Sequence, residues 1–398
     1  MEVLDHAIFW HVYPLGATGA RIRDWTTEDE GHRLPELINW LDYLIDLGCN
    51  GLLLAPIFAS STHGYDTLDH YQIDPRLGDD ADFDRLMAAC RERGIEVVLD
   101  GVFNHVGINH PMVAGDGPIR RLDDGSPEPW EGHGDLALLN HEDPRTEDLV
   151  VDVMNHWLDR GIAGWRLDVA YSVPAWFWAK VVDRVRQTHP DAVFLGEIIH
   201  GDYLGLVHDG HLDTVTQYEL WKAVWSSIKD VNFWELEHAL GRHNDFVAQA
   251  PMQTFVGNHD VDRIASVTGS SGAALAAVLL LTLPGIPSIY YGDEQAFTGV
   301  KGSGFSADDP VRPPLPATPE ELAPLGEWMH VLHQELIASR RRHPWLVRAE
   351  IEVLETSNEA ISYVVRAGSD SLTVHLTLEP AVTAKLEFSD GETAEYAW

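Results

Sequence analysis

Ile95-Glu-Val-Val-Leu-Asp100-Gly-Val-Phe-Asn-His105 begins as an apolar run and ends in polar groups. The first half has the length and β-branched content of a strand buried on both faces, the pattern of a parallel sheet. If parallel strands close into a barrel, Asp100, Asn104 and His105 fall at its mouth rather than inside it. Three more segments repeat this form: Gly164-Trp-Arg-Leu-Asp168, Gly196-Glu197 and Phe255-Val-Gly-Asn-His-Asp260. Bringing Asp168, Glu197 and Asp260 together at strand ends costs electrostatic energy, and that cost points to a chemical site.

Working outward, apolar runs of strand length recur along the chain. They are Ile8–Tyr13, Gly51–Ile57, Ile95–Asp100, Ala163–Asp168, Val193–Glu197, Asp213–Thr216, Met252–Gly257 and Ile286–Tyr291. Helical spacing fills the gaps: Leu34–Leu47, Asp80–Gly94, Arg145–Gly161, Pro174–Thr188, Asn232–His243, Gly272–Leu283 and Pro319–Arg342. Eight strands alternating with helices predict an α/β fold, a (β/α)8 TIM barrel with its site at the C-terminal strand ends. Two departures are visible. Residues 106–141 are rich in Gly, Pro and Asp without periodicity, which predicts a short inserted lobe after the third strand. Residues 345–398 switch to short alternating strands, which predicts a small C-terminal antiparallel β domain. The barrel would then comprise residues 1–105 and 142–344.

Bulk properties exclude some functions. The 398 residues are 45% hydrophobic and carry a formal charge of -36, which argues against nucleic-acid and anionic-membrane partners. Cys49 and Cys90 read as two buried free thiols. The N-terminus has no basic start and no long apolar segment, and the richest apolar stretch, Ala273–Leu283, is short for a membrane span. The expectation is a cytoplasmic protein.

The carboxylates suggest a reaction. Cleaving a glycosidic bond with retention needs two carboxyls about 5–5.5 Å apart, one to attack the anomeric carbon and one to protonate the leaving oxygen. Asp168 and Glu197 end adjacent strands. Arg166 shares a face with Asp168 by the period-2 rule and should hold it ionised. Glu197 should carry a proton, with its pKa raised by burial and nearby acids. Asp260 is a third carboxylate that could stabilise positive charge at the anomeric centre. His105 and His259 are candidate donors to sugar hydroxyls.

In order and content these four segments resemble the sequence regions of the α-amylase family, glycoside hydrolase family 13. Gly64-Tyr65-Asp66, Ile73-Asp74-Pro75, Leu136-Ala-Leu-Leu-Asn140 and Gly285-Ile-Pro-Ser-Ile-Tyr-Tyr-Gly292 resemble further family segments. The resemblance spans nearly the whole chain. It implies a retaining mechanism with Asp168 as nucleophile, Glu197 as acid/base and Asp260 as transition-state stabiliser. It implies that Tyr65 stacks on the sugar at the cleavage point, beside His105, Arg166 and His259. It implies an Asp and an Arg after the eighth strand gripping the same sugar. Asp308 and Arg312 have that spacing, with Asp309 an equally close candidate.

The stretch Gly164-Trp-Arg-Leu-Asp-Val-Ala170 is more similar to neopullulanase and cyclomaltodextrinase sequences than to secreted amylases. In those amylases a Lys-His pair soon after the nucleophile helps bind calcium; here Tyr171-Ser172 stands in its place. The resemblance thus implies no cofactor. Only Asn104 and the insertion's Asp116, Asp123, Asp124 and Asp135 are left for calcium, and they read as solvated loop acids. His200, Asp202 and Tyr203 should line the leaving-group side. Trp221 and Trp225 form either an aromatic face or core packing. The expected activity is hydrolysis of α-1,4, possibly also α-1,6, glucosidic bonds in maltooligosaccharides or related α-glucans. An α-glucosyl transferase or trehalose-forming isomerase is the alternative, and a non-catalytic amylase-like binding subunit a further one. The sequence leaves oligomeric state open.

Overall fold

The computed structural model describes residues 2–398. Eight parallel strands form one sheet: β1 (Phe9–Val12), β2 (Gly51–Leu54), β3 (Glu96–Gly101), β4 (Gly164–Leu167), β5 (Val193–Gly196), β6 (Thr214–Val215), β7 (Gln253–Phe255) and β8 (Ile286–Tyr290). Their order is β6-β5-β4-β3-β2-β1-β8-β7, and a parallel bridge from Thr216 to Gln253 joins the two edges. This closed sheet, wrapped in helices, is the barrel that the strand count predicts.

The barrel has two apolar layers. Phe9, Leu53, Val98, Val193 and Ile286 fill its interior, and Leu4 and Ala7 of the N-terminal segment pack beneath them. The opposite faces of the same strands meet the helices in a much larger core that includes Trp157, Trp165, Trp178 and Leu275–Leu281. Alternate residues of each strand therefore serve different layers, which is why the strands read as continuous apolar runs.

Register brings the carboxylates together. Asp100 pairs with Arg166, and Leu167 pairs with both Gly101 and Gly196. Asp168 and Glu197 each follow one residue after an aligned pair. The Asp168 amide donates to the Gly101 carbonyl (3.1 Å), and the Glu197 amide to that of Leu167 (2.9 Å). Gly164 makes this pairing possible, because a Cβ there would lie 2.1 Å from the Val193 carbonyl oxygen.

Three helix expectations are corrected. Leu34–Trp40 is 3-10 rather than α, and only Leu41–Leu47 is α-helical. Its buried residues, Leu34, Leu37 and Trp40, recur every third position, the 3-10 period. Pro319 and Pro324 break the segment before the last long helix into short 3-10 turns, and the α-helix runs Glu327–Arg342. Ile264–Thr282 is longer than the apolar stretch seen in the sequence, and it is kinked at Gly269 (φ 74°). By length and composition alone this 19-residue helix could cross a membrane. Ala273–Thr282 is buried throughout between barrel and neighbouring helices, as a core helix would be. The helices Tyr203–Asp209 and Tyr218–Lys229 were not among the expected elements.

Between β3 and the helix Pro144–Leu158, three short strands form an antiparallel sheet: His105–Gly107, His133–Leu138 and Pro129–Trp130. It has its own small core of Val106, Val113, Ile119, Ala137 and Leu139. A hairpin of Phe58–Ser60 and Thr67–Ile73 follows β2 and carries Tyr65 in its loop. The chain ends in a five-stranded antiparallel sheet spanning Glu350–Ala397, docked by a hydrogen bond between the Tyr363 and Thr282 hydroxyls (2.9 Å). Cys49 and Cys90 are buried free thiols.

Candidate active site

The C-terminal strand ends open into a cleft of about 570 Å³ whose walls include Tyr65, His105, Asp168, Glu197, Asp260 and Arg312. Asp168 is 6% exposed and Glu197 3%, so both are buried where they line this cleft.

Arg166 lies at the centre. Its guanidinium reaches Asp100 Oδ2 (2.5 Å), Glu197 Oε1 (2.8 Å) and Asp168 Oδ1 (3.5 Å). Asp100 is not at the mouth, as the sequence suggested, but 1% exposed within the rim of β3. It also accepts from the Tyr65 hydroxyl (3.0 Å), and its carboxyl is pushed up to about 6 by burial, with Arg166 opposing. Three buried carboxyls thus share one cation.

At Asp168 the electrostatics run against the expectation. Burial, and then the charge of Glu197, push the Asp168 carboxyl well above the ordinary carboxylate range, and Arg166 pulls against them. The sequence reading had Arg166 holding Asp168 ionised and the upward push falling on Glu197. Arg166 makes its shorter contact to Glu197. The Val169 amide also donates to Glu197 Oε2 (3.0 Å), and the Tyr218 hydroxyl to Oε1 (3.2 Å). Val169 has a left-handed backbone (φ 40°, ψ 44°), unusual for a β-branched residue, and that turn aims its amide at Glu197.

Asp260 stands across the cleft, held by Arg312 Nη2 (2.9 Å) and His259 Nε2 (3.1 Å). Burial lowers the His259 pKa far below its ordinary value, so the ring is neutral. It stacks under Tyr65 with centroids 5.4 Å apart and planes 4° from parallel, and its Nε2 contacts the Tyr65 hydroxyl. His105 is neutral too, lowered to about 3 by burial. It donates from Nε2 to the Tyr65 carbonyl (3.1 Å) and accepts at Nδ1 from Asn104 (3.1 Å). Beneath the Tyr65 loop, the fully buried Arg76 binds Asp74 (2.6 Å) and the Thr62 carbonyl (2.5 Å), fixing that loop to the barrel.

Asp308 lines the cleft and contacts Arg312 (3.3 Å), whereas Asp309 turns to Arg23 (2.5 Å). His200 is exposed and packs against Tyr171 (5.1 Å); the cleft wall there is Tyr171 and Ile199. Sequence reasoning missed Trp130, which lines the cleft and stacks on His105 (4.9 Å), and Tyr218, which reaches Glu197. A lone Trp in the polar insertion was the available signal for the first. It also missed Lys301, which donates to the Asp260 carbonyl (2.7 Å).

Three of the residues named for calcium have other partners. Asn104 spends its amide on His105, Asp124 accepts from Ser126, and Asp116 is exposed beside Arg145. Among the described residues, groups able to hold a metal are His32/Asp79/Asp82 and His343/Asp390/Glu392, and none of these lines the cleft.

The family model for the α-amylase catalytic domain matches residues 23–116 and 131–343. Among curated proteins, a cyclomaltodextrinase of Geobacillus thermopakistaniensis is 32% identical over 381 residues, covering 87% of this chain and 63% of its own. An intracellular maltogenic amylase of Bacillus subtilis is 30% identical, covering 72% and 52%. The chain spans between about half and two thirds of the length of such relatives. Among solved structures, the cyclic α-maltosyl-(1→6)-maltose hydrolase from Arthrobacter globiformis superposes with a TM-score of 0.81 at 25% identity. That match covers 100% of this chain and 99% of the other.

Proposed function

The chain belongs to the α-amylase family, and on that premise we propose that it is a retaining glycosidase of α-1,4-linked glucosyl oligosaccharides. The observation that carries this reading is the register. Asp168 and Glu197 emerge side by side from β4 and β5 into one cleft, and Asp260 faces them from beyond β7.

In the first step an Asp168 oxygen bonds to the anomeric carbon as the bond to the departing sugar breaks. Glu197 gives its proton to the departing oxygen. In the second, water passes a proton to Glu197, its oxygen bonds to the anomeric carbon, and the ester to Asp168 breaks. Asp260, held in place by Arg312, faces the positive charge that develops at the ring. Tyr65, clamped between His105 and His259, offers its aromatic face to the reacting sugar.

Asp100, Asp168 and Glu197 surround the single charge of Arg166, which makes ionising all three at once costly. The mechanism needs a proton on Glu197 when the glycosidic oxygen arrives, and Arg166, 3.5 Å from Asp168, is the counter-ion for the nucleophile.

The relatives' names carry the substrate class: maltodextrin rings in one and a maltosyl-(1→6)-maltose ring in another. We extend both to this chain as α-1,4 hydrolysis with tolerance of α-1,6 bonds. A cytoplasmic location belongs to the same proposal, supported by the relative named as intracellular. The proposal carries no cofactor.

The test is a product time course on maltotriose, γ-cyclodextrin and pullulan with anomers followed by NMR. α-Anomeric products, lost in Asp168→Asn and Glu197→Gln, support the assignment, as does azide acceleration of Glu197→Ala on 4-nitrophenyl α-maltoside with formation of the α-glycosyl azide. β-Anomeric products, or full activity in Asp168→Asn, overturn it.

A further inference from the structure

On the flank of the barrel, a groove of about 420 Å³ lies between the starts of the helices Pro144–Leu158 and Ala175–Val185. Its walls are His141, Glu142, Pro144, Glu147, Trp176 and Lys180, and none of these lines the catalytic cleft. We infer that this groove is a second, non-catalytic binding site for an α-glucan chain, with the Trp176 indole as its stacking platform. The identity of the ligand rests on the glycosidase reading above.

Three observations support it. First, Trp176 is 39% exposed, although the next two residues, Phe177 and Trp178, are fully buried. Packing accounts for those two and leaves Trp176 on the open side of its helix. The walls are held together: Arg184 of the same helix binds Glu147 (2.7 Å) and Asp148 (2.8 Å) of the other, and the Lys180 ammonium lies 4.8 Å from the Trp176 ring. Second, the polar groups are uncommitted. Among the described residues, Glu142 and Lys180 make no ion pair. His141 donates from Nε2 to the Phe103 carbonyl (2.9 Å), and burial lowers its pKa, which favours a neutral ring with Nδ1 as an acceptor. Carboxylates, an ammonium and an imidazole acceptor can together serve hydroxyls as donors and as acceptors. Charges of both signs beside an indole disfavour an ion of either sign and suit a neutral ring with apolar C–H faces and a hydroxyl rim. Third, the groove lies at the same end of the barrel as the cleft. His141 is bonded to Phe103, just beyond β3, and Trp176 lies five residues after Tyr171 of the cleft wall. A branched or long α-glucan held at the groove would therefore keep its other chain ends near the cleft.

The test is calorimetric. Maltoheptaose titrated into the Glu197→Gln protein should require two sites, and adding Trp176→Ala should leave one. Trp176→Phe in the same background keeps an aromatic face and should keep both sites. Should Trp176→Ala fold poorly, Glu142→Arg, whose long side chain enters the groove from the opposite wall, should remove the same site. Initial rates on glycogen and on 4-nitrophenyl α-maltoside, which is too short to reach both sites, give a second readout. Relative to the nitrophenyl substrate, Trp176→Ala should lose about two- to tenfold in kcat/KM on glycogen, through KM, as expected for one aromatic contact. A single site in the Glu197→Gln protein, two sites that survive Trp176→Ala, or equal losses on the two substrates overturn the groove assignment while leaving the glycosidase reading intact. A wild-type protein inactive on both substrates overturns the glycosidase reading itself.

Discussion

Glu294 offers a sharp test of the electrostatics argued for this fold. It lies in the turn Asp293–Gln295 directly after β8 and is 1% exposed. The Gly292 amide (2.9 Å) and the Tyr43 hydroxyl (3.1 Å) donate to its carboxyl. Burial, with Asp293 adding to it, raises the carboxyl from the ordinary 4.5 to about 7. A carboxyl that holds its proton more tightly when folded makes the folded state lose stability as pH rises from about 4.5 to 7. The loss amounts to about 3 kcal/mol above that window and vanishes below it. Glu294→Gln removes the ionisation and keeps the shape. The network can also invert: the new amide donates to the Tyr43 oxygen, and the Tyr43 hydroxyl turns to His330 Nδ1, 3.0 Å away. Burial lowers the pKa of that ring, which favours its neutral, accepting form. Urea unfolding at pH 4.5 and at pH 8 should then show near-equal stability at the lower pH and a variant more stable by about 3 kcal/mol at the higher. A gap that does not change with pH, or a variant weaker at pH 8, would refute the view that an ionised Glu294 is a burden to the fold.

Val169→Gly should cost under about 1 kcal/mol, since losing about 2 kcal/mol of buried isopropyl is offset by about 1–2 kcal/mol of relief from the left-handed backbone. Equilibrium unfolding checks this, and a loss above about 3 kcal/mol would mean the turn stores no strain. Arg340 is buried and donates to the carbonyls of Leu281 (3.0 Å), Leu283 (2.8 Å) and Gly285 (2.6 Å), closing the end of the kinked helix. Arg340→Met strands these oxygens and should lower unfolding free energy by about 3 kcal/mol or more; a neutral result would show that water or neighbours satisfy them. Dialysis against a chelator should leave kcat and Tm unchanged, and a loss reversed by calcium would reinstate a metal site.

Most of the barrel was legible because each strand serves two apolar layers and so reads as an unbroken run. Asp168, Glu197 and Asp260, after three of the runs, marked the mouth for the same reason, whereas Asp100 lies within its strand. The elements that escaped lack such a signature. In the insertion, Pro129–Trp130 and His105–Gly107 are too short to show a period. The segment Leu34–Trp40 spaces its buried residues by three, which helical templates accept even though the backbone is 3-10. The hairpin carrying Tyr65 alternates imperfectly, because Thr67–Ile73 is bulged against Phe58–Ser60.

Within the site, identity was more legible than state. Asp168, Glu197 and Asp260 could be found from strand ends alone, since period and register decide which residues converge. How the charge is shared among them depends on contacts that the order of residues does not encode. Arg166 could have faced Asp168 squarely; it turns instead toward Asp100 and Glu197, with contacts of 2.5 and 2.8 Å against 3.5 Å. The cause is structural. Asp100 pairs with Arg166 across β3 and β4 and so lies level with it, while Asp168 lies beyond it. The Val169 turn adds an amide to Glu197 and none to Asp168. The cleft therefore gives Glu197 the closer cation and an extra amide, while burial burdens charge on Asp168, the residue proposed as nucleophile. On the proposed mechanism the arriving substrate must offset that burden on Asp168. A glycosidic oxygen set against Glu197 rewards a proton there, and a sugar closing over Asp168 leaves Arg166 as the nearest cation for the carboxylate that results.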